Sequence, residues 1–103
     1  MVHRLVVNYG TPDDPAAFDA YYRETHVPLA LAQPGLVRLT FGHPTGMDPA
    51  QPTPYLVAEL DFDSADAMAR AMASPEGRAA GADLANFATG GATVVHFEVH
   101  TAT

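Results

Sequence analysis

Phe18, Tyr22 and His26 recur at four-residue intervals, and they gather aromatic surface and proton-transfer chemistry in one place. An ordinary imidazole titrates at about 6.5, so it exchanges protons near neutrality without an accessory group. A tyrosine one helical turn away can hold a substrate oxygen or donate a proton. A purely structural reading is also open, with His26 satisfying carbonyls at a helix end and Phe18 and Tyr22 as core. Tyr21 lies ~100° further around the same helix and is assigned to packing or an interface. Asp83 offers a carboxylate that orients a histidine or binds a ligand hydroxyl, or else caps a helix or faces solvent. Asn8 and Asn86 carry amides that orient a carbonyl or serve turns.

Other chemistries find less support. His96-x-Glu98-x-His100 puts three ligand types on one side of a strand, ~6.5–7 Å apart, with no further ligand nearby in sequence. No metal site is expected from it, and a lone His26 does not make a haem site. Gly90-Gly91 precedes a strand instead of a helix, so it is no phosphate cradle. No serine has the setting of a nucleophile elbow.

The elements that would position His26 follow from patterning. Asp14-Pro15 reads as a helix start, with a capping carboxylate and a proline that has no N–H to leave unpaired. Pro28 restricts Val27 to extended geometry, which predicts that the helix closes at or just after His26. Residues 3–9 alternate as a first strand with apolar residues on both faces. Residues 36–42 form a second strand after the Pro34-Gly35 turn. Residues 43–54 hold four prolines and read as a loop. Residues 55–62 make a third strand. Asp63 or Ser64 then caps a helix to about Ala73, with Met68 and Met72 on its inner stripe. Ser74-Pro75 opens a further helical segment, expected to be short or irregular up to Leu84 because Gly77 and Gly81 weaken it. Residues 92–100 form the last strand.

This order, β-α-β-β-α-β, predicts one α+β domain over residues 1–103, with a ferredoxin-like four-stranded antiparallel sheet. Helices cover one face of such a sheet, yet the first and last strands are apolar on the other face too. A second copy packed sheet against sheet would cover it, so a homodimer is expected.

Composition narrows the partners. The 103 residues contain five Arg, no Lys and twelve Asp or Glu, a net charge of −7. The arginines are scattered, and an acidic surface repels phosphate backbones, so nucleic acid is not an expected partner. No apolar run approaches the ~20 residues of a membrane helix. The absence of cysteine excludes disulfides, a thiol nucleophile and a thiolate metal site. With no room for a signal peptide before the first strand, the expected compartment is the cytoplasm.

The pattern Phe18-x-x-Tyr21-Tyr22-x-x-x-His26-x-Pro28-Leu29, followed by Pro34-Gly35, resembles the EthD family. So does Ser74-Pro75-Glu76-Gly77 with Asp83 and Phe87 before the last strand. The resemblance spans nearly the whole chain. It implies a dimeric α+β barrel related to muconolactone isomerases, polyketide cyclases and small cofactor-free monooxygenases. His26, Tyr22 and Asp83 are carried over as positions matching the motif. The expected site is a cavity of a few hundred Å³ between the sheet and the first helix, with Phe18, Phe41, Met68, Phe87 and Asn8 as ligand-binding residues around Tyr22 and His26. The expected function is cofactor-independent isomerisation, cyclisation or oxygenation of an apolar oxygenated molecule, aromatic or polyketide-like, with His26 moving the proton. The alternative is a non-catalytic homodimer that binds such molecules or assists a metabolic enzyme.

Overall fold

The computed structural model describes residues 1–103. Four strands, β1 (His3–Tyr9), β2 (Leu36–Gly42), β3 (Leu56–Phe62) and β4 (Ala92–Glu98), form one antiparallel sheet in the order β2-β3-β1-β4. Register follows side-chain alternation. Leu5 opposes Leu60 and His96, and Val7 opposes Ala58 and Val94, so these residues share one face. That face carries the core: Leu5, Val7 and Tyr9 of β1 with Leu56, Ala58, Leu60 and Phe62 of β3. The helices pack onto it through Phe18, Tyr22, Met68, Ala71 and Phe87. Aromatic rings meet edge to face there, Tyr9 against Phe18 at 5.5 Å and against Tyr22 at 5.7 Å between centroids. This arrangement adds electrostatic fit to their burial.

The opposite face has no helical cover. Val6 and Val57 are half-buried on it, and Val95 and Phe97 are each nearly half exposed. In the row of Phe97, at one end of this face, lies the Arg4–Asp61 ion pair, with Nε–Oδ1 2.7 Å and Nη2–Oδ2 3.1 Å. The apolar residues expected on the second face of the first and last strands are therefore there and uncovered. Every residue of β4 is exposed, because the helices pack over β1 and β3 and leave this edge strand bare.

The first helical stretch departs from the sequence expectation. It does not close at His26. α1 (Pro15–Tyr21) passes into a π-helical turn (Tyr22–His26) and continues as α2 (Val27–Leu31). Val27 is helical, at φ −57° and ψ −47°, not extended. Pro28 cannot donate a hydrogen bond, and its ring crowds the carbonyl four residues back. The chain accommodates it by widening just beforehand, with the Val27 N–H bonded to the Tyr22 carbonyl five residues back. At the start of α1, the Asp14 carboxylate accepts from the Ala17 N–H at 3.1 Å, the cap read from sequence.

Other boundaries differ less. Tyr55 precedes β3, and β4 ends at Glu98 instead of residue 100. α3 (Ala65–Ala73) starts from a Ser64 cap. The segment expected to be short or irregular is instead a regular 13-residue helix, α4 (Pro75–Phe87). Ser74 joins the two helices. Its Oγ donates to the Ala71 carbonyl at 2.6 Å and accepts from the Gly77 N–H at 3.0 Å. Gly77 serves packing: a Cβ built there would meet the Ala71 carbonyl oxygen at 2.0 Å. Its lack of a side chain lets α4 begin directly against the end of α3.

A Gly-to-Ala change inside a helix ordinarily stabilises by ~1 kcal/mol. At Gly77 the sign should reverse, because backbone must move to admit the methyl group. Gly77→Ala is expected to lower unfolding free energy by ~1–3 kcal/mol in urea titrations, and an unchanged or raised midpoint would contradict this packing.

Candidate functional site

Between the helix-covered face of the sheet and the helices lies a cavity of about 120 Å³. Leu5, Val7, Leu39, Ala58 and Leu60 form its floor, and Gly77, Ala80, Gly81 and Leu84 of α4 form one wall. Tyr22, His26, Ala30 and Gln33 enter from the first helical stretch and the connection after it. Val94, half exposed on the edge strand, marks the side where the cavity meets solvent. The lining is overwhelmingly apolar and contains no Lys, Arg, Asp or Glu. Apolar cavities of ~150 Å³ take benzene, so this volume admits at most a single ring. It is smaller than the few hundred Å³ expected.

His26 is 6% exposed, and its two ring nitrogens have different surroundings. Nδ1 lies 2.9 Å from Oδ2 of Asp83. Asp83 is equally buried, yet it is held as a carboxylate by its donors. The Tyr21 hydroxyl donates to Oδ1 at 2.5 Å, and the Asn86 amide donates to the same oxygen at 2.9 Å. Burial pushes the Asp83 carboxyl upward, but the hydrogen bonds from Tyr21, Asn86 and His26 outweigh it and leave the group below the ordinary carboxylate range. An ionised carboxylate only accepts, so Nδ1 of His26 carries the hydrogen. The Nε2 lone pair is left without a partner in the chain, on a ring that lines the cavity. The Phe87 ring packs against this imidazole at 4.8 Å.

The π turn allows this arrangement. Tyr21 and His26 are five residues apart, which in an α-helix separates side chains by ~140° around the axis. In a turn closed by five-residue hydrogen bonds, such residues come nearly above one another, so both reach Asp83. Tyr21, assigned from sequence to packing or an interface, instead holds the carboxylate. Asn86 does the same, and its spacing of three from Asp83 on α4 puts it within reach.

Two tyrosines complete the polar lining. Burial pushes the Tyr22 phenol up to about 12. Tyr9 is raised further, by burial first and then by the proximity of Tyr22 and Asp83. Both stay protonated and serve as hydrogen-bond donors, never as bases, near neutral pH. Neither hydroxyl has a partner within the chain, so both are free to bind a ligand oxygen. His26 is thus the one basic side chain among the residues that line the cavity. Tyr9 went unnoticed in the sequence, although its inward place in the β1 alternation was the available signal.

The other expected site residues are distributed differently. Phe18, Met68 and Phe87 are buried in the core and do not line the cavity, since their rings and chains fill the space between helices and sheet. Phe41 packs edge-on against Tyr22 at 5.0 Å, outside the lining, with the Arg23 guanidinium 5.1 Å from its centroid. Asn8 alternates with Val7 and Tyr9 and so faces the uncovered side of the sheet, away from the cavity. His96 meets His3 across the β1–β4 pairing at 2.9 Å. No three His, Asp or Glu side chains come together as a metal-holding group.

Because the Asp83 carboxyl is depressed in the folded protein, its charge stabilises the fold fully above the unfolded value of about 3.9. That contribution is lost as pH falls through the lower folded value. Asp83→Asn should therefore cost ~2 kcal/mol at pH 7, with the gap to wild type closing only below about pH 4. Melting curves between pH 7 and pH 2.5 test this. A gap that already closes between pH 5 and pH 7 would refute the ionised carboxylate.

The sequence matches the EthD domain family over residues 11–91. An uncharacterised 11.0 kDa protein of the thcB–thcC intergenic region of Rhodococcus erythropolis is 41% identical over 100 residues, 97% of each chain. The crystal structure of an EthD family protein from Bacillus halodurans superposes with a TM-score of 0.88 at 32% identity, covering 97% of this chain and all of that one. SnoaB, a cofactor-independent oxygenase from Streptomyces nogalater, shares the fold with a TM-score of 0.69 at 24% identity, over 97% of this chain and 94% of its own. With domain, sequence and backbone all agreeing over most of its length, the chain belongs to the EthD family.

Proposed function

We propose that this protein is a small-molecule enzyme that uses His26 as a cofactor-independent general base and acid on an apolar, oxygenated substrate. The observation that carries this reading is the division of labour on one imidazole: Nδ1 is tied to an ionised carboxylate, while Nε2 has no partner and its ring lines an apolar cavity. In the proposed step, Nε2 removes a proton from an enolisable C–H or a phenolic O–H. For a carbon acid, the electron pair of the broken C–H bond moves onto the carbonyl oxygen as an enolate. The Tyr22 and Tyr9 hydroxyls donate hydrogen bonds to that oxygen and stabilise its developing charge in a water-poor setting. Asp83 stabilises the imidazolium and fixes the ring orientation, as a positioning residue held by Tyr21 and Asn86. The imidazolium then returns the proton, at the same carbon or another. Isomerisation, cyclisation and oxygenation all begin from such a deprotonated species. The shared fold of SnoaB supports this chemistry as one the backbone can host.

The reading also includes a homodimer. Val6, Val57, Val95 and Phe97 lie on a sheet face with no cover in the single chain. Proteins of this fold from Thermobifida fusca and Bacteroides fragilis are described as dimeric. Sheet-to-sheet packing of two copies would bury ~2,000 Å² or more in total. Light scattering at low micromolar concentration should give twice the chain mass, and a compact, folded monomer would remove this part of the proposal.

Proton transfer can be tested before the natural reaction is identified. Small enolisable ketones incubated in D₂O with the protein should exchange their α-protons, followed by NMR. His26→Ala is expected to slow the exchange ~10²–10⁴-fold with little change in apparent affinity, and His26→Gln nearly as much. Exchange that persists in a folded, dimeric His26→Ala variant would overturn the role of His26. Ligands that bind wild type without any exchange would point to the binding-protein alternative.

A further inference from the structure

Gln33 is 5% exposed, lines the cavity, and has the one buried side-chain oxygen of the chain without a hydrogen-bond partner. Its orientation is fixed by chemistry. The carbonyl of Ala30, 3.1 Å away, can only accept, so the amide nitrogen must face it and Oε1 must be the free atom. An acceptor left unpaired in a buried site costs free energy that an apolar side chain of similar shape would avoid. Nothing in the chain compensates for it. A ligand carrying a hydrogen-bond donor would.

Resting on the cavity being the substrate site, we propose that Gln33 binds a second hydroxyl of the substrate, and that the substrate class is a neutral, single-ring dihydric phenol. Volume bounds the ring count: about 120 Å³ is less than the ~150 Å³ of a cavity that takes benzene, so the enclosed space admits no more than one ring. Charge sets neutrality, because the lining carries no cationic side chain to receive a carboxylate or phosphate. Two acceptors set the number of donors. Nε2 of His26 takes the more acidic phenolic proton, and Oε1 of Gln33 accepts from the other hydroxyl. His26 stands on the helical stretch and Gln33 in the connection that follows it. Their side chains line the same cavity, so two separate acceptors address one ligand. Tyr9 and Tyr22 supply donors to the oxygens whose protons are engaged.

The test compares isosteric ligand pairs on the intact protein by isothermal titration calorimetry under nitrogen. Catechol, resorcinol and hydroquinone are each set against the cresol that replaces one hydroxyl by methyl. A cavity without a buried acceptor prefers the cresol, since methyl is the less hydrated group. With Gln33 as proposed, at least one dihydroxybenzene binds tenfold or more tighter than its cresol. Gln33→Met, which keeps length but removes the oxygen, should bring that pair within about twofold or reverse it. If Gln33→Met does not fold, Gln33→Leu, which also removes the oxygen, serves the same comparison. Cresols binding as tightly as all three dihydroxybenzenes would overturn the role of Gln33 while leaving the cavity as the binding site. If no phenol binds at millimolar concentration, both this inference and the site reading fall. A preference for hydroxyl that survives intact in folded Gln33→Met would place the acceptor elsewhere and refute the assignment.

Discussion

A buried carboxylate needs donors, and much of this structure is arranged around supplying them to Asp83. Left alone in that position, the group would take up a proton and stop acting as a charge. Three donors keep it ionised: two from the first helical stretch, Tyr21 and His26, and one from its own helix, Asn86. The requirement ties the first helical stretch to α4 at a fixed rotation and depth. It also sets the imidazole tautomer, and through that decides which nitrogen is available to chemistry. Structure and reactivity here rest on the same three hydrogen bonds.

The helix-covered side of the sheet and the bare side divide the molecule's tasks. On the covered side, aromatic rings close the core around an apolar cavity lined by the Tyr9 and Tyr22 hydroxyls, Nε2 of His26 and Oε1 of Gln33, none of which bonds within the chain. Polar groups without internal partners lower stability, and their concentration in one cavity is the signature of a site shaped for something that enters it. On the bare side, valines and a phenylalanine stand beside a bidentate Arg4–Asp61 pair. That pair satisfies its own charges within the chain, so it presents no lone ion to whatever covers the face.

The parts of this arrangement visible in sequence are those governed by local rules. Strand alternation gave the sheet and its two faces, and Asp14-Pro15 and Ser64 marked helix starts that the backbone keeps. The four-residue spacing of Phe18, Tyr22 and His26 put all three on the buried side. What escaped depends on distant partners. Pro28 looked like a terminator because a proline's cost is usually met by ending the helix, and here a wider turn meets it instead. α4 looked weak because Gly77 was weighed by helix propensity, when its value is contact with Ala71. Tyr21 and Asp83 are 62 residues apart in the chain, and nothing in either neighbourhood announces the other. Gln33 was hidden in a connection ending in a Pro-Gly turn, where a buried amide has no local signal.

The π turn has a consequence for how proteins of this kind diverge. Because it holds one more residue than an α-helical turn, it is equivalent to a single-residue insertion that the helix has absorbed. Deleting any one residue between Tyr22 and His26 would let the stretch relax into a plain α-helix. Side chains on either side of the deletion would keep their faces, since the wider turn had already absorbed the extra residue. Tyr21 and His26 would then stand four apart, ~40° around a plain α-helix, and would still reach the same carboxylate, whereas five apart in a plain α-helix they would be ~140° apart. Among relatives, a spacing of four in a plain α-helix or of five across a π turn therefore suits the Asp83 arrangement, and a spacing of five without the π turn does not. Spacing and helix type together, as much as residue identity, encode this site.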